Sequence, residues 1–108
     1  MWLMTNFGFF SVIQKEGDDF LTVRSRIKRD LEVLKERYIP NLGHIIHGGG
    51  TDYQYRAKVS HDDMAEAVKE IVKDIDYPNF KNSVAEKQGR KRAKVCGEVW
   101  EVLTNLQE

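Results

Sequence analysis

Two short stretches, 20–26 (FLTVRSR) and 53–59 (YQYRAKV), alternate apolar and polar residues with a period of two. That period commits the chain to a sheet with one buried and one polar face. In the first stretch Leu21 and Val23 point one way and Thr22, Arg24 and Arg26 the other. In the second, Tyr53, Tyr55, Ala57 and Val59 oppose Gln54, Arg56 and Lys58. A third strand is predicted over 3–14 (LMTNFGFFSVIQ), rich in aromatic and β-branched residues. The turn-forming run Lys15-Glu16-Gly17-Asp18-Asp19 joins it to the stretch 20–26 as a hairpin.

The remaining segments carry helical spacing. Ile27, Leu31, Leu34 and Tyr38 recur at steps of four, three and four, and Pro40 and Gly43 end that helix. Residues 41–50 read as a loop. Ser60-His61-Asp62-Asp63 has the form of a helix cap, opening a helix with Met64, Val68, Ile71 and Ile75 on one side. Asn79 caps a shorter helix through about Lys87, and a last helix follows Gly89 with Val95, Val99, Val102 and Leu106 beside Cys96, Trp100 and Leu103. The order is β-β-α-β-α-α. Three strands cannot bury both faces, so the helices are expected on one face of a small antiparallel sheet. The expected fold is α+β, a two-layer sandwich, loosely ferredoxin-like. The other sheet face is left to solvent, a ligand or a second copy, and its open edges favour a homodimer.

Composition narrows the class. With 108 residues, 41% hydrophobic and 31% charged, the chain reads as a single globular domain over 1–108. No apolar run approaches the roughly 20 residues that span a bilayer, so no membrane is expected. The apolar start, MWLMTNFGFF, lacks a basic leader and a small-residue cleavage site and reads as a strand. A cytoplasmic location is expected, in keeping with the single cysteine, Cys96. Seventeen basic and seventeen acidic residues give zero net charge, so any attraction for polyanions must come from a local patch.

The parity of the strands supplies such a patch: Arg24, Arg26, Gln54, Arg56 and Lys58 share one face. The arginine fork fits phosphate or carboxylate oxygens, and Phe7, Phe9 and Phe10 offer rings on which bases could stack. Next to it, Gly48-Gly49-Gly50-Thr51 permits close approach of backbone amides to an anion. It matches neither a P-loop nor the spaced dinucleotide fingerprint. The candidate ligand-binding set is therefore Arg24, Arg26, Gly49, Gly50, Thr51, Asp52, Arg56 and Lys58.

Other constellations read more simply as structure. His44 and His47, with Asp52, His61 or Cys96, lack the paired spacing of a zinc site, so no metal and no cofactor are expected. Asn6-Phe7-Gly8-Phe9-Phe10 has a passing likeness to an aromatic RNA-recognition strand but lacks its basic residue, and core packing explains the rings. The run 87–94 (KQGRKRAK) is a solvated charged face or a phosphate contact near a helix start. Tyr77, Phe80 and Trp100 read as core anchors.

The segments FGFFSVIQK, TDYQYRAKV and IDYPNFKNSV, followed by a helix containing VWEVL, resemble a group of short bacterial proteins without an assigned function. The resemblance covers nearly the whole chain. It implies a stand-alone domain and transfers no functional residue. The reading that emerges is a small non-enzymatic binding protein holding a nucleic acid or a nucleotide on its cationic face. The alternatives are a phosphoester-acting enzyme using Asp52 as base and Arg56 to stabilise charge, and a protein-protein adaptor.

Overall fold

A computed structural model describes residues 1–48 and 52–108. In chain order the elements are β1 (Trp2–Thr5), β2 (Gly8–Ile13), β3 (Leu21–Ser25), α1 (Lys28–Arg37), β4 (Ile46–His47), β5 (Tyr55–Val59), α2 (His61–Lys73), α3 (Phe80–Gln88) and α4 (Arg90–Leu103), which runs on into a 3₁₀ turn at Thr104–Leu106. The fold is α+β, with five strands in the order β1-β2-β3-β5-β4. The chain forms two compact units: Met1–Met4 with Gly8–Ile75, and Thr5–Phe7 with Asp76–Glu108.

The first unit holds most of the sheet. The β2–β3 hairpin is centred on Gly17 and Asp18: Ser11 pairs with Arg24, Val12 with Val23 and Ile13 with Thr22. Gly17 takes a positive φ of 84°, which a side chain would strain, and Asp18 N–H donates to the Lys15 carbonyl at 3.0 Å. β3 then pairs antiparallel with β5, setting Leu21 against Val59, Val23 against Ala57 and Arg24 against Arg56. Phe10, Val12, Val23, Ala57 and Val59 are all buried on one face, as the alternation requires.

Two strands differ from the sequence reading. The stretch 3–14 is two strands rather than one, because the chain turns at Asn6-Phe7. Asn followed closely by Gly is a turn composition, and the surrounding aromatics mask it. β4 lies within the expected loop, where two residues are too few to show a period; Ile46 pairs with Arg56 and His47 with Tyr55.

α1 lies on the buried face through Leu31 and Leu34, both fully buried. Its Asp30 carboxylate accepts from Phe9 N–H at 3.1 Å, and a Cβ added at Gly8 would come within 2.8 Å of the Asp30 side chain. α2 starts as expected: the Ser60 hydroxyl accepts from Asp63 N–H at 3.0 Å. It buries Met64 and Ala67, whereas Ile75, assigned to its apolar stripe, lies past the helix end and is exposed. The two helices are tied side by side where the Tyr38 hydroxyl donates to Asp74 at 2.7 Å. Burial, and then that hydrogen bond, push the Tyr38 phenol up to about 12.

In the second unit α3 and α4 form a helical hairpin. Asn79 caps α3, accepting from Asn82 N–H at 2.8 Å, and Gly89, at φ 92°, reverses the chain between the helices. The Asn6 side-chain amide donates to the Ser83 hydroxyl at 2.9 Å, and the Gln88 amide donates to the Asn6 backbone carbonyl at 2.6 Å. Phe7, Val84 and Ala93 are buried. The apolar stripe of α4 is not: Trp100 is 70% and Val102 66% exposed, so Trp100 is no core anchor. The reason is length. Nine residues of α3 reach about 14 Å, while fourteen of α4 reach about 21 Å.

Gly8→Ala is expected to cost about 1–3 kcal/mol by overpacking against Asp30, measured by urea unfolding. For Tyr38, the folded pKa lies above the unfolded one, so its contribution to stability is complete below pH 10 and is lost as pH rises towards 12. An NMR titration of the Tyr38 ring should show that high midpoint, and Asp74→Ala should lower it.

Candidate anion-binding face of the sheet

The second face of the sheet can be read row by row from the register. Met1 and Val12 exchange backbone hydrogen bonds of 2.8 and 2.9 Å, which sets Trp2 beside Ser11. Ser11 faces Arg24, Arg24 faces Arg56, and Arg56 faces Ile46. One row across all five strands is therefore Trp2, Ser11, Arg24, Arg56, Ile46. A neighbouring row holds Ile13, Thr22 and Lys58. With strands about 4.8 Å apart, the indole and the two guanidinium groups arise within about 15 Å of one another.

Two arginines directly opposite one another repel, and the structure offsets that repulsion with one carboxylate. Asp52 reaches Arg24 at 3.7 Å through one oxygen and Arg56 at 3.5 Å through the other. The latter oxygen also accepts from Tyr53 N–H at 3.0 Å, and the Asp52 carbonyl accepts from Arg26 at 2.7 Å. Both carboxylate oxygens thus face donors, an arrangement suited to a counter-ion. Arg24 also donates to the Ser11 hydroxyl at 2.6 Å. Among the described residues, the Nε atoms of Arg24 and Arg56 are buried without a hydrogen-bond partner. Four cations, Arg24, Arg26, Arg56 and Lys58, share this region with Asp52.

Tyr53 corrects the strand parity. Alternation places it on the helix-facing side, but the chain bends before β5 begins at Tyr55. Its ring instead lies against both Arg24 and Arg26, with guanidinium carbons 4.7 and 4.6 Å from the ring centre. Lys58 similarly lies 4.7 Å from the Phe20 ring. Trp2 meets Phe9 edge to face at 5.6 Å and is 71% exposed, so the row ends in an accessible aromatic pair.

The structure thus brings Arg24, Arg26, Asp52 and Arg56 into contact and puts Lys58 in the adjoining row. Gly49, Gly50 and Thr51 lie outside the described residues. Sequence reasoning missed Ser11, Tyr53 and Trp2. Centring the hairpin on Gly17 would have found Ser11, while no local signal marks the bend at Tyr53.

Elsewhere the chemistry is thinner. Among the described residues no three His, Cys, Asp or Glu side chains gather to hold a metal; His47 stacks on Tyr55 at 4.9 Å and His61 meets Gln14 at 3.1 Å. Burial pushes the Cys96 thiol up, with Arg92 opposing, which disfavours the nucleophilic thiolate. In the second unit a groove of about 490 Å³ runs between α3 and α4, where Arg90 and Lys94 of the basic run sit with Glu98 and Glu101. No described helix is long and apolar enough to cross a membrane.

Asp52→Ala removes the carboxylate shared by two largely buried guanidinium groups and should lower stability by about 1–2 kcal/mol in urea. Added phosphate should restore more of the melting temperature in this variant than in the parent. No family model matches the sequence, and no curated protein or solved structure is significantly similar to it.

Proposed function

We propose that this chain is a small binding protein that holds single-stranded nucleic acid along the cationic face of its sheet. The observation that carries the reading is the Arg24–Arg56 pair, set face to face on β3 and β5 with Asp52 shared between them. Such a pair has more positive charge than its own carboxylate neutralises, so a phosphate adds attraction without requiring new side chains. Arg26 and Lys58, both exposed, extend the cationic surface to either side. Trp2 and Phe9 supply rings at the end of the same row, and base stacking on aromatics tolerates any sequence. A free nucleotide shares this chemistry, but the row is wider than one phosphate needs.

Fluorescence anisotropy of a labelled single-stranded RNA tests the reading. Binding should weaken with salt at a slope of about −0.7 per phosphate contact. Arg26→Ala and Lys58→Ala, both at exposed positions, should each reduce that slope by about one contact. Trp2→Ala should lower affinity by about 1–3 kcal/mol with the salt slope unchanged. Absence of binding at low salt, or binding indifferent to all three substitutions, would sink the proposal.

A further inference from the structure

Arg24 and Arg56 are the central cations of the sheet face, yet little of either is open to solvent: 16% of the Arg24 side chain and 12% of the Arg56 side chain. The Asp52 side chain that bridges them is 55% exposed. A group arriving from solvent therefore meets the carboxylate before it meets the pair of guanidinium groups. Arg26 is exposed, and it donates to the backbone carbonyl of the same residue at 2.7 Å. Three arginines thus converge on Asp52, two on its carboxylate and one on its main chain.

That convergence leaves donors over. The carboxylate oxygens lie 3.7 Å from Arg24 and 3.5 Å from Arg56, longer than the roughly 2.7–2.9 Å of a charge-assisted hydrogen bond. Arg24 spends one N–H on the Ser11 hydroxyl, and among the described residues the Nε atoms of both arginines are buried without a partner. Every nitrogen of a guanidinium carries a donor and none an acceptor. What remains can be used only by an acceptor brought to it. The planar Asp52 carboxylate neutralises part of the charge without closing the short contacts. A phosphate presents tetrahedral oxygens to the same two forks, the geometry that guanidinium groups hold best.

We infer that Asp52 is a tethered stand-in for the ligand: in the free protein its carboxylate keeps the place of a phosphate, and a strand binds by putting one of its phosphates there in exchange. The exchange, which rests on the nucleic-acid reading of this face, makes binding competitive with a residue of the protein itself. Ion pairs break and form, and no covalent bond changes. In the free protein the carboxylate keeps two facing arginines from repelling one another unpaired. It also lowers the apparent affinity by the fraction of molecules in which it occupies the seat.

Asp52→Asn separates charge from shape. The amide oxygen can still accept from Tyr53 N–H, and the carbonyl that holds Arg26 belongs to the backbone, so the variant loses the charge and keeps the turn. With inorganic phosphate as the probe at constant ionic strength, the variant should bind about tenfold more tightly than the parent. Glu16→Gln removes an equal charge at an exposed position of the β2–β3 turn and should stay within about twofold of the parent. A measurement on the parent alone needs no variant to fold. The NMR signal of the Asp52 carboxyl carbon should move as phosphate is added, in step with the Nε–H signals of Arg24 and Arg56. Labelled single-stranded RNA should show the same gain in Asp52→Asn. Equal or weaker phosphate binding by that variant, or a carboxyl signal that stays put while the arginine signals saturate, would overturn the exchange. RNA binding by the parent that Asp52→Asn leaves unchanged would overturn it too and leave the nucleic-acid reading standing. A gain for phosphate with no RNA bound by either protein would support the exchange and remove the nucleic-acid reading.

Discussion

The arrangement of the sheet's polar face depends on the meeting of Arg24 and Arg56 at the centre of the molecule's first unit. β3 is the middle strand, and its register with β5 leaves no freedom in which residue faces which. The same register that places Val23 on Ala57 in the core forces guanidinium against guanidinium on the other side. Slipping by one residue would relieve the charge and expose the core face. Hydrophobic burial decides the matter, because several buried side chains at about 1.5–3 kcal/mol each outweigh one screened repulsion. The repulsion is then managed locally by Asp52, Ser11 and the Tyr53 ring.

This ordering of energies explains what was legible in the sequence. Alternation in 21–25 and 55–59 was visible because burial imposes it on every second residue, and it located Arg24, Arg56 and Lys58 on one face. Capping was equally legible, since Ser60 and Asn79 act on amides three residues away. What could not be read is set by long-range contact. Gly8 is required by the approach of Asp30 from α1, twenty-two residues later in the chain, and nothing beside Gly8 announces it. Tyr53 has the parity of a core residue, yet the bend before β5 turns it onto the arginines.

The α4 stripe shows the opposite failure. Its 4-3-4 spacing marks a helix with an apolar stripe, whereas reading Trp100 as a core anchor assigns that stripe a partner within the fold that the structure does not supply. Periodicity states that a face seeks an apolar partner. It does not state which molecule supplies that partner. α3 ends before it can cover the distal half of α4, and Trp100 is left 70% exposed at the margin. An exposed side chain of that size is common on surfaces; three valines, Val95, Val99 and Val102, at steps of four and three on one helix are a pattern.

Charge is distributed differently on the sheet face and along α4. The chain is neutral overall, with 17 basic and 17 acidic residues, so neither surface attracts a partner through net charge. On the sheet face Arg24, Arg26, Arg56 and Lys58 cluster around Asp52, a local excess of positive charge. Along α4 the basic residues Arg90, Lys91, Arg92 and Lys94 precede Glu98 and Glu101, so both signs balance within one helix. A chain that is neutral overall thus keeps a local excess of positive charge on its sheet face.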